Sequence, residues 1–99
     1  MKFGLSLQDW DTVEKFAILP LKKLGAKVFV FGSRARGVHR KFSDLDLMYE
    51  IINKPELHII GKIKDDLVDS SLPIKVDLVD LDELADSYKG SALSERVEI

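Results

Sequence analysis

Asp44 and Asp46 stand two residues apart in Ser43-Asp44-Leu45-Asp46-Leu47-Met48-Tyr49, a stretch that alternates polar with apolar side chains. That period marks a half-buried β-strand, in which residues two apart share a face with their Cα atoms about 6.7 Å apart. Side-chain reach can then bring both carboxylates to shared cations. Two carboxylates about 4 Å apart repel by roughly 4 kcal/mol at an effective dielectric of 20, so the pair is costly unless something positive sits there. All the available ligands are oxygens, and a hard divalent cation such as magnesium is the natural occupant.

A second constellation precedes the first. Val28-Phe29-Val30-Phe31 is a continuous β-branched and aromatic run, which predicts a strand buried on both faces. Gly32 then permits a sharp turn and close approach of a ligand, and Ser33 suits the N-cap of a short helix through Arg34, Ala35 and Arg36 that Gly37 ends. A strand running into a glycine and a helix N-terminus presents unpaired N–H groups, which attract phosphate. Arg34, Arg36, His39, Arg40 and Lys41 crowd into eight positions beside this turn. In a chain with 15 basic and 17 acidic side chains, net charge −2, that local positive field would steer a triphosphate, while the overall balance gives no footprint for direct nucleic-acid binding.

Ten residues separate Ser33 from Asp44. Gly32-Ser33, that interval and Asp44-x-Asp46 together resemble the signature of the nucleotidyltransferase superfamily that includes DNA polymerase beta. The wording GSRARG and SDLDL, in so short a chain, is similar to the minimal nucleotidyltransferases, the antitoxin half of HEPN/MNT toxin-antitoxin pairs. That family completes its site with a third carboxylate on a later strand. Here Ile74-Lys75-Val76-Asp77-Leu78-Val79 reads as such a strand, and Asp77, between Val76 and Leu78, faces away from its apolar side. The resemblance runs from about Val28 to about Asp80.

The resemblance implies a polymerase beta-like fold, with Asp44, Asp46 and Asp77 as catalytic residues holding two magnesium ions and ATP as substrate. Gly32 and Ser33 would hold the outer phosphates. Arg36 and Lys41 are candidates for added phosphate charge and Arg34 equally so; the sequence does not rank them. The implied acceptor is a tyrosine of a HEPN-domain ribonuclease toxin, which would receive AMP. Two other readings stay open, a non-catalytic antitoxin that neutralises its toxin by binding and a transferase for a small-molecule acceptor. Taken alone, Gly32-Ser33 is an ordinary strand-to-helix turn and Asp44-x-Asp46 a solvated strand face. Joined at this spacing, with Asp77 beyond, they read as a catalytic set.

The elements that must position this set follow from periodicity. Ninety-nine residues make one domain, 1–99, and alternating helical and strand signals predict an α/β or α+β fold with a small mixed sheet and helices packed on it. Ser6 and Asp9 start a helix from about Leu7 to Leu19, with Trp10 and Phe16 in its core-facing stripe, and Pro20 ends or kinks it before a last turn to Leu24. Pro55 suits a first helical position, and Leu57, Ile60, Ile63, Leu67 and Val68 form the apolar stripe of the helix that follows. Asp82 to Tyr88 begins a last helix interrupted near Gly90. Asp80, Asp82, Glu83 and Asp86 read as helix N-terminal charge and surface, His39 and His58 as loop and helix-flank residues, and Glu50 as structural or exposed. No cysteine, signal peptide or membrane span is visible, which points to the cytoplasm; self-association stays open.

Overall fold

In the computed structural model, which describes residues 2–99, the Ser6 hydroxyl caps the first helix by accepting the Asp9 N–H at 3.1 Å. This helix runs as α1 (Leu7–Val13), a π-helical segment (Glu14–Ile18) and α2 (Leu19–Lys23). The expected last turn beyond Pro20 is present, reached through the π segment instead of a break. Pro20 has no N–H to give to an α-helical ladder. The widened turn before it, in which the Leu19 N–H donates to the Glu14 carbonyl, takes up the defect.

Strands β1 (Lys27–Phe31), β2 (Leu45–Glu50), β3 (Val76–Asp80) and β4 (Val97–Glu98) form one mixed sheet in the order β3-β2-β1-β4. β1 is antiparallel to β2 and to β4, and β2 is parallel to β3. A short helix α3 (Gly32–Arg36) follows β1, α4 (Leu57–Val68) joins β2 to β3, and α5 (Asp86–Glu95) leads into β4. The layered α/β architecture expected from the pattern is therefore the one formed.

Side-chain alternation assigns the two faces of the sheet. Val28, Val30, Leu45, Leu47, Tyr49 and Leu78 turn toward the large core shared with Trp10, Val13, Leu21, Ile60 and Ile63. Phe29 and Met48 turn the other way and pack on Ala92 of α5. β2 is thus covered on both faces at its middle, where alternation alone predicted half burial; Met48 is fully buried. Its polar face stays accessible at the start of the strand, with Asp44 exposed and Asp46 half-buried.

Several local expectations need correction. Leu57 and Val68 are exposed, not part of the α4 stripe, because they lie roughly 100° round the helix from the line of Ile60, Ile63 and Leu67. Pro55 precedes the cap Glu56 instead of opening the helix. The last helix does not start at Asp82: a 3-10 turn (Leu81–Glu83) comes first, and α5 runs unbroken through Gly90. β4, with only two residues, gave no periodic signal. Asp80 is buried, where surface charge was expected. Lys54 Nζ reaches its Oδ2 at 2.7 Å and the Asp82 N–H donates to its Oδ1 at 3.0 Å, so the buried charge is neutralised. Hydrogen bonds from Lys54 to Asp80 and to Asp82 in turn push the lysine's pKa upward.

Candidate active site

Strand register builds the carboxylate side of the site. Phe31, the last residue of β1, is paired with Asp46 on β2, and Asp46 is paired with Asp77 on β3. Neighbouring strands lie about 4.8 Å apart, so the Asp46 and Asp77 side chains leave the same face of the sheet side by side. Asp44 stands one residue before β2 and two before Asp46.

Asp46 carries the electrostatic load of this arrangement. Burial, then the negative charges of Asp77, Asp44 and Glu95, push its pKa from 3.8 up to about 6, against the opposing pull of Arg36. Asp77 has a local partner, with Lys75 Nζ 3.1 Å from its Oδ1, and this hydrogen bond raises the Lys75 pKa. Among the described residues no three acidic or imidazole side chains are already gathered into an ion-sized cage. The donor set nevertheless fits a hard divalent cation: it is all carboxylate oxygen, its members lie close enough for Asp77 and Asp44 to act on Asp46 electrostatically, and Asp46 and Asp77 are paired on adjacent strands.

Gly32 locks the turn against this cluster. Its φ is 75°, a left-handed value that side chains avoid, and a Cβ at this position would overlap the Asp46 Oδ2. Glycine is therefore required twice over, by the backbone conformation and by the adjacent carboxylate. The helix after it begins at Gly32 with Phe31 in the cap position, so Ser33 lies inside α3 and not at its cap as expected. Gly37 closes α3 in the left-handed conformation, φ 74°.

The two arginines of α3 take opposite roles. Arg34, a candidate for phosphate binding in the sequence, is instead 2% exposed and turned inward. Its Nη1 donates to the Phe3 carbonyl at 2.8 Å, its Nη2 to the carbonyls of Lys41 and Ser43 at 3.2 and 3.0 Å, and its Nε to that of Ser43 at 3.1 Å. With its donor fork so committed, Arg34 fastens the basic loop to the N-terminal turn and has no side left for a phosphate. Arg36 is half-exposed and faces the site, its Nη1 2.9 Å from Glu95 Oε2. The backbone N–H of Gly32 donates to the other oxygen of Glu95, Oε1, at 3.3 Å. Lys41 lies on the exposed loop over the Phe42 ring, 5.3 Å from its centroid, and is not among the charges that act on Asp46. Glu95 was missed in the sequence: it lies 63 positions from Gly32 in a helix whose pattern gives no sign of the contact. Lys75 could have been found, two residues from Asp77 and on the same side of its strand.

A Gly-Ser turn after the first strand, two aspartates on the second and one beside them on a parallel third, all at one end of a mixed sheet, define a nucleotidyltransferase architecture. The family model "Polymerase beta, Nucleotidyltransferase" matches residues 18–99. The chain belongs to the polymerase beta-type nucleotidyltransferase family. It is 36% identical over 64 residues to the "Probable protein adenylyltransferase MntA" of Haemophilus influenzae, an alignment covering 63% of this chain and 54% of that protein. The chain thus spans about half the length of this curated relative. Its structure is similar to that of a candidate minimal nucleotidyltransferase, with a TM-score of 0.72 and 28% identity over 96% of this chain and 97% of the other. The same fold occurs in a toxin-antitoxin complex crystallised with AMP-PNP, with a TM-score of 0.66 and 20% identity over 86% of this chain and 70% of that one.

Proposed function

We propose that this chain transfers AMP from ATP to a hydroxyl group of a partner protein, a tyrosine of a HEPN-domain toxin, and so acts as the antitoxin of the pair. The observation that carries the reading is the placement of Asp44, Asp46 and Asp77 near one another beside a glycine turn and an outward arginine, where burial first and then the neighbouring negative charges raise the Asp46 pKa to about 6. Such a cluster is unfavourable in an idle protein and useful in one that gathers cations around a triphosphate. Support for the acceptor comes from the adenylyltransferase that the chain resembles over 64 residues. Further support comes from the shared fold of a toxin-antitoxin complex.

The reaction joins the acceptor oxygen to the α-phosphorus of ATP, breaks the bond to the bridging oxygen of the β-phosphate, and releases pyrophosphate and one proton. Asp44 and Asp46 would hold two magnesium ions, Asp77 one of them. When bound, these ions supply the positive charge that offsets the developing charge on the phosphates. Gly32 and Ser33 would bind the outer phosphates through backbone N–H and hydroxyl groups, and Arg36 would add a full positive charge there. Asp77, on the acceptor side, would orient the attacking hydroxyl and draw off its proton.

The test is to incubate the protein with magnesium, ATP and the product of the adjacent gene and to weigh both proteins by intact mass spectrometry. A gain of one or more AMP units on the partner, absent with Asp44→Asn, is expected. A tight complex with no mass gain would replace the transferase reading with a neutralising binding module.

A further inference from the structure

Glu95 is the last residue of α5, and its side chain, 19% exposed, is turned onto the turn between β1 and α3. Its two oxygens divide their partners: Oε1 accepts the Gly32 N–H at 3.3 Å and Oε2 the Arg36 guanidinium at 2.9 Å. An anion bridging a backbone N–H and a guanidinium is the contact that a phosphate oxygen makes with such groups. These are the same two groups that the proposed function gives to the triphosphate. Glu95 is also a further negative charge bearing on Asp46, which already faces Asp44 and Asp77. A triphosphate seated at this turn would place like charges in contact if the carboxylate stayed.

We propose that Glu95 is an internal phosphate mimic, which occupies the Gly32 amide and Arg36 in the nucleotide-free protein and swings away when a nucleoside triphosphate binds. The movement needs only a side-chain rotation. The backbone just beyond is anchored, because Arg96 stacks 3.9 Å from the centroid of the Phe29 ring and pairs with Glu50. Glu95 therefore sets nucleotide affinity by competition, and it selects for ligands that carry a phosphate chain. A nucleoside gains nothing from displacing it. The inference rests on the nucleotidyltransferase reading and deepens it.

Calorimetry with wild type and Glu95→Gln, using magnesium AMP-PNP, inorganic tripolyphosphate and adenosine as probes, tests it. Removing the competing charge should tighten AMP-PNP and tripolyphosphate by about two- to five-fold, the range of a partly exposed ion pair, and leave adenosine unmoved. Glu95→Ala should behave alike, and melting curves of both variants confirm that they are folded. Tripolyphosphate binding by Glu95→Gln alone would be the strongest form of support. If wild type binds AMP-PNP and the variant binds it equally or more weakly, Glu95 is a staple or a nucleotide-orienting group and the mimic is refuted, with the transferase reading untouched. If neither protein binds any phosphate-bearing probe, both the mimic and the nucleotide reading fall.

Discussion

The carboxylate side and the proposed phosphate side of the candidate site lie next to each other but are built by different means. Asp44, Asp46 and Asp77 are placed by strand period and by the register of two adjacent pairings, Phe31 with Asp46 and Asp46 with Asp77. The phosphate side depends on what the side chains of one short helix touch: Arg34 is consumed by three backbone carbonyls of the loop and N-terminal turn, and Arg36 is held by a carboxylate from the far end of the chain. Strand period can be read from neighbouring residues. A contact across 59 positions cannot. Each side also carries its own counter-charge, Lys75 on Asp77 and Glu95 on Arg36.

The comparison breaks most visibly if the carboxylates are dispensable. Asp44→Asn or Asp46→Asn should lower AMP transfer by about 10³-fold or more, equivalent to about 4 kcal/mol of lost transition-state stabilisation, in a timed transfer assay with magnesium ATP. Transfer kept by both of these variants but lost in Asp80→Asn, with the fold intact, would show that the buried Lys54 pair and not the aspartate trio is the working site.

The contrast within α3 makes the next largest prediction. Arg34→Gln puts a shorter, uncharged side chain in a buried position and leaves the part-buried carbonyls of Phe3, Lys41 and Ser43 without charged donors, and it should cost about 3 kcal/mol of stability by urea unfolding. Arg36→Gln removes a half-exposed pair and should change stability by less than about 1 kcal/mol, while weakening AMP-PNP binding. Equal losses of stability at the two positions would erase the distinction drawn between them.

Smaller, and opposite in sign, is the effect of Asp46 on the unliganded fold. Its native pKa of about 6 lies above the ordinary value of 3.8, so between those values the folded state binds more protons than the unfolded state. Stability contributed by protonated Asp46 is thus present below about pH 4 and lost as pH rises through about 6. Allowing for the solvent that reaches this half-buried group, the penalty at pH 7 is about 1–2 kcal/mol. Asp46→Asn should be more stable than wild type by about that amount at pH 7 and by nothing at pH 3.5, measured by urea titration at both pH values. Magnesium ATP should reverse the order by raising the melting temperature of the wild type alone. A variant less stable at neutral pH would mean that Asp46 is a structural carboxylate.

How much of this was legible in the sequence follows the same division. The buried run Val28 to Phe31, the Asp44-x-Asp46 alternation and the strand around Asp77 announce the sheet and its carboxylates, because each is a short-range pattern with period two. The Ser6 cap and the π-distorted helix around Pro20 were foreshadowed by single residues with strong local chemistry. Arg34 and Arg36 were indistinguishable, since which arginine points inward depends on where the N-terminal turn docks. Leu57 and Val68 misled because apolar spacing alone does not say where a helix's buried stripe is centred. α5 and β4 were obscured because Gly90 and a two-residue strand contradict local expectation and are held by packing on Phe29 and Met48 and by pairing with β1.

The central claim is attack at the α-phosphorus of ATP, and isotope position tests it most directly. The protein, magnesium and the product of the adjacent gene are incubated in parallel with ATP labelled at the α- or at the γ-phosphate, and label is counted in the precipitated protein. The account predicts incorporation from the α-position only, abolished in Asp44→Asn. Incorporation from the γ-position, or α-label that persists in Asp44→Asn, would contradict it.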